Sequence, residues 1–111
     1  MQAALVSIIT PCYNSEKFIA QTIRSVQSQT YTHWELLIVD DCSTDGTKQI
    51  VKDFMEDDPR VTFHQLRKNS GAGVARNLAV EMAGGKYIAF LDADDLWMPE
   101  KLEKQVNFMQ S

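Results

Sequence analysis

Apolar residues along this chain alternate between two rhythms. Leu5-Val6-Ser7-Ile8-Ile9 is a short β-rich run, and Thr10-Pro11 is expected to stop it because proline cannot continue a central ladder. Phe18, Ile19, Ile23 and Val26 then recur at helical spacing, with Asn14 or Ser15 available as N-cap. Trp34 to Val39 predicts a second strand. Thr44 can cap the next helix, whose inner face is Ile50, Val51, Phe54 and Met55, and Asp57-Asp58-Pro59 closes it.

Val61-Thr62-Phe63-His64-Gln65 alternates with period two, which predicts a strand with one face less buried, at a sheet edge. The loop Asn69-Ser70-Gly71-Ala72-Gly73 leads into a helix presenting Val74, Ala75, Leu78, Ala79 and Met82. Gly84-Gly85 is expected to end it in the left-handed C-cap geometry that glycine adopts at little cost. Tyr87 to Leu91 predicts a fourth strand, and Pro99 starts a last helix carrying Leu102, Val106 and Met109.

Strictly alternating strands and helices imply an α/β, doubly wound, parallel sheet with helices on both faces and right-handed crossovers. Strands 1, 2 and 4 read as nearly continuous apolar runs, and the order 3-2-1-4 follows best. Ligands of such sheets sit beyond the carboxyl ends of the strands, where strand order reverses. The Thr10-Pro11-Cys12-Tyr13-Asn14 turn and the acidic pairs Asp40-Asp41 and Asp92-x-Asp94 all fall on that rim.

With 111 residues the chain reads as one domain, 1–111, and 44% apolar residues allow a modest core. Eleven basic against fifteen acidic residues give a charge of −4, which argues against a nucleic-acid or anionic-membrane surface. The chain shows neither a charged leader followed by a long apolar run nor the roughly 20 apolar residues of a membrane helix, so a cytoplasmic protein is expected. Cys12 and Cys42 lack metal-ligand spacing. They read as two unpaired side chains, with a mutual approach as the alternative because they follow neighbouring strands.

The segment Phe90-Leu91-Asp92-Ala93-Asp94-Asp95 carries the sharpest chemical signal, an apolar strand running into carboxylates two residues apart. In extended backbone, positions i and i+2 share a side. Asp92 and Asp94 could then face one polyphosphate-bound magnesium or manganese ion as hard oxygen ligands. Arg76 and Asn77 lie near the start of a helix after a glycine-bearing loop, where free N–H groups favour phosphate. Arg76 reads as a phosphate ligand or as a solvated surface arginine. His33 and His64 show no partner spacing.

Several segments in order resemble the nucleotide-binding half of a family 2 glycosyltransferase of the GT-A (Rossmann-like) fold. They are Val6 to Asn14, Gln29-Thr30-Tyr31, Leu37 to Thr47, Asn69-Ser70-Gly71, Ala75-Arg76-Asn77 and Tyr87 to Asp95. The resemblance covers almost the whole chain. It implies transfer of a sugar from a nucleotide-diphospho-sugar, a UDP-sugar in the first place, to an acceptor hydroxyl. Transfer would proceed with inversion and with Mn2+ or Mg2+, and the acceptor would be a carbohydrate or lipid-linked molecule of cell-surface polysaccharide or glycoconjugate synthesis. By resemblance, Thr10, Pro11 and Tyr13 line the base pocket, with Tyr13 stacking on a pyrimidine. Asp41 accepts from the ring N–H of the base, caps the next helix, or does both. Asp94 is the first candidate for metal, and Asp92 contacts metal or ribose. Asp95 joins them or only shapes the turn.

An inverting transferase needs a general base for the acceptor hydroxyl. The resemblance puts that carboxylate in a second half, which no segment here matches, so the chain is expected to be an N-terminal part, inactive in transfer by itself. A cover for strand 4 is missing as well, and the exposed edge is expected to favour self-association. Two rival readings remain. One is a non-catalytic assembly module of the same fold. The other is a receiver-like phosphoacceptor domain, which would place its acidic pair after strand 1 and a lysine after a fifth strand.

Overall fold

The computed structural model describes residues 3–110. Met1, Gln2 and Ser111, which enter the sequence reading only at the chain ends, lie outside the described residues. In chain order the elements are β1 (Val6–Cys12), α1 (Ile19–Gln27), β2 (Trp34–Asp40), α2 (Thr47–Asp57), β3 (Val61–Gln65), α3 (Ala72–Met82), β4 (Tyr87–Phe90) and α4 (Lys101–Gln110). All three ladders are parallel and the order is β3-β2-β1-β4, as the alternating pattern predicts.

Strand alternation divides the core. Val6 and Ile8 of β1 and Leu36 and Ile38 of β2 face Ile19, Ile23 and Val26 of α1, Val51 of α2, and Leu102 and Val106 of α4. Ile9, Leu37 and Val39 face the opposite way, against Ala75 and Ala79 of α3. Three helices therefore cover one face and a single helix the other. The α3 stripe is narrower than expected, since Val74 and Met82 are exposed. Met109 of α4 is exposed too. β4 is an edge strand, and Ile88 and Phe90 stand 43% and 53% exposed beside α3's face of the sheet.

Pro11 does not stop β1, contrary to expectation. The strand runs to Cys12, paired with β2 throughout, whereas pairing with β4 ends at Ile9 opposite Phe90. Ile9 offers its carbonyl to Leu91 N on the β4 side. By alternation Pro11 turns its nitrogen to that same side, where no ladder continues, so its missing N–H costs nothing.

The expected caps also go elsewhere. α1 and α2 begin after Phe18 and Gly46 with no side-chain cap on those residues. Asn14 and Ser15 instead tie the β1–α1 loop to the β2–α2 loop: Asn14 Oδ1 accepts from Thr44 N at 2.8 Å, and Ser15 N donates to Thr47 Oγ1 at 2.8 Å. Asp45, not Thr44, serves the start of α2, accepting from Thr47 N at 3.0 Å and from the Thr47 hydroxyl at 2.6 Å. These bonds hold its carboxyl below the usual range against the opposing effect of burial. Gly84 and Gly85 do not form a left-handed cap either, since Gly71 is the only glycine with positive φ among the described residues. Gly85 is required for close approach: a Cβ there would lie 2.6 Å from Ser7 Oγ and 2.8 Å from the Leu5 carbonyl oxygen.

Candidate functional site

A cleft of about 340 Å³ opens at the carboxyl ends of the strands. Pro11 and Tyr13 line it from the exit of β1, Asp41 from β2, Ala72 and Arg76 from α3, and Asp92 and Asp94 from β4. Strand order explains the convergence. β1 is the crossover point, so its exit loop has the β2 exit on one side and the β4 exit on the other.

Tyr13 is 49% exposed, with its ring free to meet a flat ligand. Pro11 is half-buried. Thr10 differs from both: its side chain is fully buried, does not line the cleft, and points by strand alternation to the α1 side with Ile8 and Cys12. Its hydroxyl finds no hydrogen-bond partner among the described residues. Asn14 follows at φ 47°, a left-handed conformation that asparagine tolerates, and turns the chain back towards β2.

The acidic strand exits have unlike fates. Asp40 is wholly buried and holds the β2–α2 loop: its carboxylate accepts from Ser43 N at 2.8 Å, the Ser43 hydroxyl, Gln65 Nε2 at 3.0 Å and the Cys12 thiol at 3.3 Å. Burial, and then the charge of Asp40, push the Cys12 thiol far above its ordinary value. Both cysteines are free. Asp41 reaches across to the next connection, accepting from Ser70 N at 2.6 Å and Gly71 N at 2.9 Å. One lone pair on each Asp41 oxygen remains for a ligand. Gly71 adopts φ 97° at this crossing, a conformation that glycine reaches without strain.

Asp92 and Asp94 do share the cleft, though not through extended backbone. β4 ends at Phe90, and Asp95 N donates to the Asp92 carbonyl at 3.0 Å to close a turn. Ala93 at its centre is buried at the rim of the core that α1 covers, while both flanking carboxylates are exposed. Asp95 bonds the following amide, Leu96 N, at 2.9 Å. Among the described residues no three His, Cys, Asp or Glu side chains converge as a ready-made metal cage. Two exposed carboxylates on one turn still fit Mg2+ or Mn2+, which take one or two protein carboxylates and complete their shell with phosphate and water.

Arg76 lines the cleft five residues into α3, its guanidinium 5.9 Å from the Phe90 ring centroid. Asn77 is exposed and does not line it. Sequence reasoning assigned Phe18 to the α1 core, yet Phe18 is 50% exposed and lines the cleft. The signal was present, because Ile19, Ile23 and Val26 complete the buried stripe without it. Among the described residues no helix is long and apolar enough to cross a membrane.

The sequence pattern of glycosyl transferase family 2 matches residues 7–111. TuaG of Bacillus subtilis (strain 168), whose name links it to teichuronic acid biosynthesis, is 54% identical over 95% of this chain and 42% of its own length. The Escherichia coli UDP-Glc:alpha-D-GlcNAc-diphosphoundecaprenol beta-1,3-glucosyltransferase WfgD is 46% identical over 98% of this chain and 42% of its own. This chain thus spans about two-fifths of either relative. Among solved structures, S. aureus TarS 1-349 in complex with UDP superposes with a TM-score of 0.89 at 39% identity, over 95% of this chain and 32% of that one. The mannosyltransferase PcManGT of Pyrobaculum calidifontis, in complex with GDP-Man and Mn2+, gives 0.88 at 30% identity, over 96% and 32%.

Proposed function

This chain belongs to glycosyl transferase family 2, and from that premise we propose that it forms the donor-binding part of an enzyme that moves sugar from a UDP-sugar to an acceptor hydroxyl in cell-surface polymer synthesis. The observation that carries the proposal is the convergence of Tyr13, Asp41, Arg76, Asp92 and Asp94 on one cleft from four separate elements. UDP in the related TarS structure and UDP-Glc in the name of WfgD support the donor class, and the names of TuaG and WfgD support the setting.

In this reading Tyr13 stacks on the base and Asp41 receives the ring N–H of uracil with its remaining lone pairs. Pro11 walls the base pocket beside Tyr13, and Thr10, buried beneath, takes no direct part. Arg76 and the amino end of α3 face the diphosphate, where guanidinium and free N–H groups favour anionic oxygen. Asp94, with Asp92 beside it or on the ribose, would hold the divalent cation. When bound, that cation supplies charge neutralisation at the departing diphosphate.

The acceptor oxygen bonds to the anomeric carbon with inversion as the bond to the diphosphate breaks, and the electron pair leaves with UDP. The acceptor proton passes to a general base, which this reading assigns to residues outside this sequence, along with most of the acceptor site. The 111 residues then bind donor and do not turn it over efficiently.

Thermal unfolding with UDP, GDP and ADP, each with and without manganese, tests the reading. Ligand at about 100 times its dissociation constant stabilises by about 2.7 kcal/mol, a midpoint rise of roughly ten degrees or more for a domain this size. The expected result is a rise for UDP that needs manganese and that Asp94→Ala removes. An equal rise with GDP would overturn the uracil assignment, and no rise with any nucleotide would favour the non-catalytic module.

A further inference from the structure

The acidic turn and the loop that follows it are held from beneath at two points, one on α1 and one just past its end. Thr22 on α1 is 1% exposed, and its hydroxyl stands 2.7 Å from the carbonyl oxygen of Ala93, the residue between Asp92 and Asp94. The other acceptor within its reach is the helical carbonyl of Phe18 at 3.2 Å. A hydroxyl has one proton, and the shorter geometry gives it to Ala93. Two turns later on the same side of the molecule, Gln29 is 3% exposed and grips the far end of the loop. Its Nε2 donates to the Met98 carbonyl at 2.7 Å and to the Ser25 carbonyl at 3.1 Å, and its Oε1 accepts from Leu102 N at 3.0 Å.

These bonds tie the segment from Ala93 to Leu102 to α1 and to Gln29 just beyond it, which is itself bonded to Ser25 of α1. The start of α1 adjoins the Tyr13 side of the cleft. No side-chain bond fixes the Asp92 or Asp94 carboxylates among the described residues, so their placement depends on the backbone that carries them. The geometry points to Thr22 and Gln29 as positioning residues that hold the Asp92–Asp94 turn in register with the nucleotide end of the cleft. The inference deepens the donor-site reading and rests on it. Neither side chain lines the cleft. Both act through backbone, as groups behind metal ligands do when they orient them.

The test is manganese-dependent UDP binding by titration calorimetry on wild type, Thr22→Val, Thr22→Ser and Gln29→Met. Valine keeps the volume and removes the hydroxyl, whereas serine restores it. The manganese concentration for half-maximal UDP binding is expected to rise by about tenfold in Thr22→Val and to return to the wild-type value in Thr22→Ser. The affinity for UDP without manganese falls by a smaller factor than the manganese requirement rises in Thr22→Val, and amide hydrogen exchange at Asp94 and Asp95 accelerates in Thr22→Val but not in Thr22→Ser. Gln29→Met shifts the manganese requirement in the same direction and stands in should Thr22→Val not fold. A manganese requirement unmoved in the folded variants, with only a lower unfolding midpoint, overturns the positioning role. Wild-type binding of UDP that ignores manganese overturns the metal reading and this inference together.

Discussion

Asp41 and Gly71 are joined by a hydrogen bond of 2.9 Å, in which the carboxylate at the end of β2 accepts from the amide that precedes α3. The same carboxylate takes Ser70 N at 2.6 Å, so one buried side chain fixes the loop from which α3 launches towards the cleft. A residue read from the sequence as a ligand to the base or a helix cap is first a strut between two connections. The two uses are compatible, because a carboxylate has more acceptor sites than these two amides fill.

Removing that strut should cost stability as well as affinity. Asp41→Ala leaves two amides without their charged acceptor and is expected to lower stability by about 2 kcal/mol. Asp41→Asn, which retains one acceptor oxygen, should lose less stability yet still weaken UDP. Urea unfolding combined with UDP titration separates these effects. An alanine variant as stable as wild type would contradict the strut.

Glycines at three positions should answer substitution differently. At Gly85 a Cβ would meet Ser7 N at 2.7 Å and the Leu5 carbonyl at 2.8 Å, both backbone atoms that cannot move without parting β4 from β1. Gly85→Ala is expected to cost about 3 kcal/mol. Gly73 lies inside α3 with open space around its Cβ position, and Gly73→Ala should stabilise by about 0.5–1 kcal/mol. Gly71→Ala meets no clash, but its φ of 97° makes it unfavourable. Chemical denaturation of the three variants orders them, and a neutral Gly85→Ala would refute the close-approach argument.

These positions show where sequence reading succeeds and where it stops. Strand order was legible in part through burial: Trp34 to Val39, apolar but for Glu35, lies inside the sheet, and Val61 to Gln65 alternates and lies at an edge. The apolar run of β4 gave no sign that it forms the other edge. The acidic pairs were legible because a carboxylate at a strand exit is a pattern of neighbours. Capping was misread because Asn14 and Ser15 have two suitable kinds of partner, and the one they take belongs to a loop about thirty residues away. Pro11 misled because ladder membership is set separately on each side of a strand. The contact of Thr22 with Ala93 spans 71 residues and has no local signature at all. It exists only once β4 lies beside β1.

The end of α2 carries a testable charge. Arg60 donates through Nε to Asp58 Oδ1 at 3.0 Å and through an end nitrogen to Oδ2 at 2.9 Å, and its guanidinium lies 3.8 Å from the Trp34 ring centroid. Hydrogen bonding from Arg60 chiefly lowers the Asp58 carboxyl below its ordinary value of 3.8, against the effect of burial. A lowered folded value means that the pair's stabilisation is fully present above the unfolded value and is lost as pH falls through the folded one. Asp58→Asn should therefore be less stable than wild type at neutral pH, with the gap closing as pH drops through the carboxylate range. A gap independent of pH, in urea midpoints across that range, would show that the pair contributes nothing through charge.

The two exposed carboxylates of the acidic turn should be separable by their metal dependence. Both flank Ala93, yet a group that meets nucleotide through a cation loses its contribution when manganese is withdrawn, whereas one that touches the ribose keeps it. Asp94→Asn is expected to abolish the manganese-dependent gain in UDP affinity and leave metal-free binding as it was. Asp92→Asn should weaken UDP with and without manganese, if the ribose is its partner. Tyr13→Ala provides the control for the base, costing about 0.5–1.5 kcal/mol of affinity in either condition, whereas Tyr13→Phe keeps the stacking face and should stay near wild type. Calorimetric titration of the four variants with UDP, at zero and at saturating manganese, gives eight affinities that assign each side chain to metal, ribose or base. If Asp94→Asn and Asp92→Asn both lose only the manganese-dependent part, the two carboxylates act as a joint metal pair and the ribose contact falls. If neither variant changes any affinity, the cation site lies elsewhere and the acidic turn has no part in donor binding.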